Sequence, residues 1–257
     1  MAKSGSDRPF FIGYGKKLPS DIAKLILPVF ALFIALFVAL SLLLSSSARE
    51  AGDGRFRFDL GRQTLAGVLE HHPYPVLRLP AEGSNPATTL IMSGGGKRGA
   101  FLDAEEMEGE GVVARGVYLK RGDVTMLQVA GHQSIEASEE KLPADFQPAK
   151  PVSMGQWRLS GEICDGKCYV GAMRPGTGLA HKACANLCIV GGVPPVFVSS
   201  GDVDGHQFFL LTDKEGNPVN DKVGDWVALF VEAEGEIERL DDLTVFKMDF
   251  STLKVLP

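Results

Sequence analysis

The pattern of hydrophobic and polar residues changes once along the chain, close to residue 48. Residues 25–44 form an apolar run without charge, interrupted only by Pro28 and Ser41. A helix of about twenty residues is long enough to cross the hydrocarbon core of a bilayer. Beyond this run, short apolar and β-branched segments alternate with polar and turn-forming residues, which is typical of strands. The pattern predicts a single transmembrane helix over residues 25–46, followed by a mainly β protein.

The β part divides into two sets of five expected strands. Residues 139–153, which carry Pro143, Pro148 and Pro151 among charged residues, predict a linker between the sets. The first set comprises residues 63–69, 76–79, 88–92, 111–119 and 124–129, and the second comprises residues 156–163, 196–200, 207–212, 226–232 and 243–248.

A weak internal repeat indicates that the two sets are related. Residues 114–129 align without gaps on residues 233–248, and residues 65–69 resemble residues 159–163. Five short strands in about 100 residues, ending in a charged hairpin, are typical of a small Greek-key barrel of the OB type. The alternative is that two unrelated antiparallel units share ordinary strand and turn chemistry.

We therefore expect two small OB-like β-barrel modules. The first covers residues 51–138 and the second covers residues 154–257. The second differs by a Cys-rich helical insertion over residues 164–195, placed after its first strand.

The distribution of charge predicts the orientation of the helix. Residues 1–24 hold five basic and two acidic residues, whereas the charges that directly follow the helix are balanced. This bias places the N-terminal segment in the cytoplasm and the bulk of the chain on the extracytoplasmic side. Residues 46–48 resemble a signal-peptidase site, but the apolar run is longer than a typical signal-peptide core, so an uncleaved anchor is expected.

Charge also limits the class of partner. Residues 1–48 hold five of the 26 basic residues and two of the 32 acidic ones, which leaves a net charge of about −9 on the rest. An acidic outer domain argues against nucleic acid as a ligand. The expected partners are the membrane and other subunits of a membrane protein complex.

All four cysteines fall within one short stretch of the second half. Gly178 and the pair Gly191-Gly192 bound an expected helix over residues 179–190. His181, Cys184 and Cys188 then lie on one face of this helix, opposite an expected hairpin that carries Cys164 and Cys168.

Two main interpretations of this stretch remain open. In an oxidising compartment, disulfides between Cys164/Cys168 and Cys184/Cys188 are the ordinary expectation. Alternatively, Cys168, His181, Cys184 and Cys188 form a metal site, with Cys164 as a spare ligand. Zinc, copper or an iron–sulfur cluster suits such donors. A redox-active disulfide is a third interpretation, although neither cysteine pair is Cys-x-x-Cys.

One string of residues resembles a known motif. Lys167-Cys168-Tyr169, then His181-x-x-Cys184-Ala-x-x-Cys188, then Gly191-Gly-Val-Pro-Pro195 is similar to a motif of uncharacterised bacterial single-pass, membrane-anchored proteins that accompany respiratory electron-transfer components. The resemblance covers about 30 residues. It implies a location in the bacterial inner membrane with a periplasmic bulk, and it favours a metal because it rests less on Cys164.

Candidate catalytic patterns are weak elsewhere in the chain. Residues 93–99 (Ser-Gly-Gly-Gly-Lys-Arg-Gly) resemble a phosphate-binding loop, but the spacing differs and a mobile hairpin loop is expected. The first hypothesis is therefore a non-catalytic accessory subunit of a respiratory or electron-transfer membrane complex. The alternatives are a metal or cofactor carrier or assembly factor for such a complex, and a thiol-disulfide oxidoreductase.

Overall fold

A computed structural model describes residues 20–47, 54–71, 73–81, 86–100, 107–138, 146 and 150–257. The chain separates into two compact units, Met1–Ala51 and Gly52–Pro257. Most of the expected cytoplasmic segment and most of the expected linker lie outside the described residues.

The first unit contains one long helix, α1 (Ser20–Ser47). Its segment Ile22–Leu43 is 22 residues long, and it is long and apolar enough to cross a membrane. Large apolar side chains such as Phe33 and Phe37 are exposed along its length. The predicted N-terminal apolar helix is thus confirmed, and it begins earlier than residue 25.

The second unit is mainly β. Its described residues form twelve strands, namely β1 (Arg55–Phe56), β2 (Gln63–Glu70), β3 (Val76–Leu79), β4 (Thr88–Ser93), β5 (Gly111–Arg121), β6 (Val124–Val129), β7 (Ile135–Ala137), β8 (Val152–Asp165), β9 (Pro195–Val203), β10 (His206–Asp213), β11 (Phe230–Leu240) and β12 (Leu243–Val255).

The five strands β8 to β12 form a closed barrel in the order β10-β12-β11-β8-β9. All neighbouring pairs are antiparallel except β10 and β12. The interior is filled by aromatic and β-branched side chains, including the fully buried Phe197, Phe209 and Phe246. The alternating buried and exposed residues of β11 put one face of the strand on this core.

The strands β1 to β7 form a second sheet. Five of its strands are paired in a ring that begins and ends at β5. β5 pairs with β2, β2 with β3, β3 with β4, β4 with β6, and β6 again with β5. The pair β4 and β6 is parallel and the others are antiparallel. The strands of this ring pair in the same order as the strands of the closed barrel. The two remaining strands, β1 and β7, both pair with β5.

The aligned glycines of the two hairpins occupy similar surroundings. A Cβ atom on Gly116 would lie 2.5 Å from the backbone oxygen of Gln128, and one on Gly235 would lie 2.3 Å from that of Lys247. Both glycines therefore admit a close approach of the neighbouring strand. The two hairpins, β5–β6 and β11–β12, also begin at matching positions of the aligned sequences.

Most strands are longer than the sequence predicts, and the starts of β8 and β11 differ most. β8 begins at Val152, so it starts inside the expected linker. β11 begins at Phe230 and not at Trp226, because the chain turns at Ala228, whose φ is 62°. Val227 is nevertheless fully buried, and this burial produces the apolar signal that resembled a strand.

The two sheets are joined by buried polar contacts. The Tyr74 hydroxyl donates to the Leu211 carbonyl at 2.8 Å and accepts from the Val219 N–H at 2.9 Å. The Arg78 guanidinium pairs with Asp241. Residues 52–257 consequently form a single compact unit.

Candidate functional site

The cysteine-rich segment connects β8 to β9 and is largely helical. It contains a short helical turn at Cys168–Ala172, a second at Leu179–His181, and the helix α2 (Lys182–Val190). α2 ends at Val190 and is capped by Gly191, as its sequence predicts, whereas the expected first turn, Leu179–His181, is a separate helical turn. The expected hairpin for Cys164 and Cys168 is wrong, because Cys164 lies in β8 and Cys168 begins the helical turn.

Three of the four cysteines lie together. The sulfur atoms of Cys168, Cys184 and Cys188 are within 4.8 Å of one another, and this group is called the cysteine cluster below. The Cys168 and Cys188 sulfurs are 4.0 Å apart, a non-bonded distance. Cys168 and Cys188 are buried, whereas Cys184 is half-buried and lies closest to solvent.

A buried histidine–carboxylate pair adjoins the cysteine cluster. The Nε2 atom of His181 is 2.9 Å from Oδ2 of Asp165, and both side chains are almost completely buried. The other carboxylate oxygen accepts the Cys168 N–H at 2.8 Å. Asp165, Cys168 and His181 offer ligand atoms within 4.8 Å of one another, so Cys168 belongs to both groups.

The fourth cysteine is elsewhere. Cys164 is fully buried among apolar side chains such as Val196 and Leu210. Burial raises the pKa of its thiol. Of the residues predicted for the site, His181, Cys184 and Cys188 therefore lie around Cys168, whereas Cys164 lies in the apolar core. His181 is not within 4.8 Å of the whole cysteine cluster.

A loop from the first sheet covers the site. Residues 93–99, called the docking loop below, follow β4 and pack on the C-terminal end of α2. The Gly99 N–H donates to the Gly191 carbonyl at 2.8 Å, and a Cβ on Gly191 would lie 2.0 Å from the Lys97 carbonyl oxygen. The glycines thus allow backbone to touch backbone. The segment is a hairpin, as expected, closed by a hydrogen bond from the Gly94 N–H to the Arg98 carbonyl, and it rests against α2.

Two lysines connect this loop to the cysteine segment. The Lys97 Nζ is 2.6 Å from the Cys184 sulfur. Lys167 is buried and donates to the carbonyl oxygens of Gly94 and Gly96 at 2.5 and 2.8 Å. The first sheet and the cysteine segment therefore share one polar contact region.

The hydrogen bond between the two buried cysteines, Cys168 and Cys188, shifts their pKa values in opposite directions. A hydrogen bond from the Cys168 thiol lowers the pKa of Cys188, although burial opposes the effect, and the Lys97 ammonium assists it. The same hydrogen bond, together with burial, raises the pKa of Cys168. The hydrogen bond to Cys184 raises the pKa of Lys97, and burial lowers the pKa of Lys167. The Lys97 ammonium thus faces the Cys184 sulfur from the docking loop.

The donor set suits a soft metal ion. Two thiolates bound to one zinc ion at about 2.3 Å in tetrahedral geometry stand about 3.8 Å apart, close to the 4.0 Å between Cys168 and Cys188. The Nδ1 atom of His181 is buried and has no hydrogen-bond partner among the described residues. A carboxylate on one ring nitrogen with the other nitrogen free is the arrangement of a metal-binding histidine.

Sequence reasoning missed three polar residues of this site, namely Asp165, Lys167 and Lys97. Asp165 and Lys167 stand between the first two cysteines, and their place within Cys164-Asp-Gly-Lys-Cys168 was the available signal. Lys97 carries no such signal, because it is distant in sequence and joins the site only through tertiary packing.

Comparisons with protein-family models, with curated proteins and with solved structures find no match to this chain. The resemblance of the cysteine motif to membrane-anchored respiratory proteins therefore stays a prediction.

Proposed function

We propose that this protein is a membrane-anchored, non-catalytic accessory subunit of a bacterial respiratory or electron-transfer membrane complex, and that its Cys/His site holds a metal ion. The observation that carries the metal site is the group of three sulfurs within 4.8 Å beside the Asp165–His181 pair. The accessory role is supported by the apolar helix and by the motif resemblance.

The proposed location rests on the N-terminal part of the chain. α1 has the length and composition of a membrane span, and the residues before it are rich in positive charge. On the positive-inside rule, the bulk of the protein then lies on the periplasmic side of the inner membrane.

The proposed docking modules are two OB-like barrels related by the internal repeat. Support comes from the identical order of pairing in the two sheets, each with a single parallel pair in its ring. OB barrels present a strand face and loops as a binding surface. In an accessory subunit, these surfaces contact other subunits of the complex.

The metal is proposed to be held by Cys168, Cys184 and Cys188, with His181 as the fourth ligand. Three sulfurs and one imidazole favour zinc or copper over an iron–sulfur cluster, which ordinarily uses four thiolates. Cys164, the spare thiol, is buried in the apolar core away from the cluster. The bound ion would tie the turn at Cys168, the turn at Leu179–His181 and α2 together.

A metal or cofactor carrier is the second candidate function. It is favoured by the position of Cys184, which is half-buried beneath Lys97 and gives the site an edge open to solvent. A thiol-disulfide oxidoreductase is less well supported, because Cys188, whose pKa is lowered, is almost completely buried.

Elemental analysis with a thiol count tests the metal site. Protein purified without chelator should carry about one metal ion per chain. His181→Ala and Cys184→Ser should both lose the metal, whereas Cys164→Ala, the matched control from the apolar core, should keep it. Full metal retention in His181→Ala would remove that residue from the ligand set.

Affinity purification from detergent extract tests the accessory role separately. The tagged chain should recover subunits of a membrane oxidoreductase. Recovery of the chain alone under conditions that keep such complexes intact would contradict the role, whatever the metal content.

A further inference from the structure

A lysine of the docking loop lies against the most exposed cysteine of the cluster. The Nζ of Lys97 is 2.6 Å from the sulfur of Cys184. Even N–H···O hydrogen bonds measure about 2.7–3.2 Å, and sulfur is a larger acceptor than oxygen. The contact is thus short for a hydrogen bond to sulfur, and one oxygen atom bonded to both atoms would hold them at about this separation.

Both partners are positioned by backbone. Cys184 is fixed on α2, and the Lys97 backbone is pressed against Gly191 at the end of the same helix. Cys184 is also the member of the cluster that dissolved oxidants reach most easily, because Cys168 and Cys188 are buried.

We propose that Lys97 and Cys184 form a covalent nitrogen–oxygen–sulfur bridge when the metal-free protein is oxidised by dioxygen. The thiolate and the ammonium together react with one O₂ molecule. One oxygen atom bonds to sulfur and nitrogen, and the other leaves as water with two protons from the ammonium group. Sulfur and nitrogen each lose two electrons, and O₂ accepts all four.

The bridge makes this site a redox-controlled lock between the two sheets. It joins the docking loop, which follows β4, covalently to α2. It also withdraws Cys184 from the cluster, so bridging and metal binding exclude one another. That exclusion rests on the proposed metal site, whereas the bridge itself does not.

Intact-mass measurement of the full chain tests the proposal. Detergent-purified protein is stripped with chelator, reduced, and then exposed to air-saturated buffer. We expect a gain of about 14 Da, for one oxygen gained and two hydrogens lost, that disappears on renewed reduction. Peptide mapping should find Lys97 joined to Cys184. Only a loss of about 2 Da, for a disulfide, or only a gain of about 16 Da, for a sulfenic acid, would overturn the proposal.

Two lysine variants make the assignment specific. Lys97→Arg keeps the positive charge but should abolish the 14 Da gain. Lys182→Arg, whose lysine lies on α2 and bonds to the Asp225 carbonyl instead, should preserve it. A 14 Da gain that persists in Lys97→Arg would also overturn the proposal. Because the masses are read from denatured protein, failure here leaves the metal proposal to be judged by its own assay.

Discussion

The docking of residues 93–99 on α2 can be tested by one added methyl group. Gly191 has φ −74° and ψ 2°, a conformation open to alanine, so Gly191→Ala introduces no backbone strain. Its Cβ would nevertheless lie 2.0 Å from the Lys97 carbonyl oxygen. Ordinary carbon–oxygen contacts are about 3.3 Å or longer, so the loop must retreat by about 1.3 Å.

The energetic cost follows from these contacts. Overpacking of this kind costs about 1–3 kcal/mol. The Gly99–Gly191 hydrogen bond contributes about 1 kcal/mol more, and it is lost when the loop retreats. For a folded unit of this size, 1 kcal/mol corresponds to about 2–4 °C, so the melting temperature should fall by about 5–15 °C. Withdrawal of Lys97 should also expose Cys184.

The assay combines thermal unfolding with the rate of Cys184 alkylation, read by mass spectrometry. Gly95→Ala is the matched control, because its Cβ would meet nothing within 4 Å in the same loop. Gly191→Ala should melt earlier and react faster than this control. Equal melting temperatures and equal alkylation rates in the two variants would refute the docking.

Three further predictions concern residues around this region and between the sheets. Asp165→Asn should lower metal affinity by about 10–100-fold in a chelator competition, since it removes the carboxylate behind His181 while its amide oxygen still accepts the Cys168 N–H. Tyr74→Phe should reduce the free energy of unfolding by about 1–3 kcal/mol in a urea titration, because the Leu211 carbonyl and the Val219 N–H lose their partner. For Asp213, burial acts to raise the pKa, but hydrogen bonds from Lys222 and Asn217 outweigh it and hold the pKa below its usual value. The stability advantage of wild type over Asp213→Asn should therefore be present above about pH 4 and disappear as the pH falls through the lowered native pKa, as followed by thermal unfolding across pH.

Much of the strand pattern could be predicted from the sequence, because alternation of apolar and polar residues indicates a strand with one buried face. Val76–Leu79 and Val124–Val129 have the predicted bounds, and β2 and β4 extend by one residue. The start of β11 was not accessible, because Val227 is buried in a turn and carries the same apolar signal as a strand. Apolar character predicts burial, and it distinguishes strand from turn only when alternation is present.

The site could be predicted from the sequence only where its residues lie in one segment of the chain. The helical spacing predicted that Cys184 and Cys188 share one side of α2, and the structure brings their sulfurs together. His181, predicted on the same face, lies in the turn before α2. The association of Lys97 with Cys184, across 87 residues of chain, depends on how two sheets pack. The exclusion of Cys164 was equally hidden, because its position in β8 directs it into the apolar core.

The docking loop also imposes an order on biosynthesis. Contacts between residues far apart in the chain form after local contacts, because closing a long loop costs entropy before the new contact stabilises the fold. Residues 93–99 are synthesised before α2, so they can dock only once α2 has formed between β8 and β9. Protection of the Cys184 thiol by Lys97 is therefore one of the last events of maturation. A chain in which the loop has not yet docked would therefore expose more of the Cys184 thiol than the folded protein does.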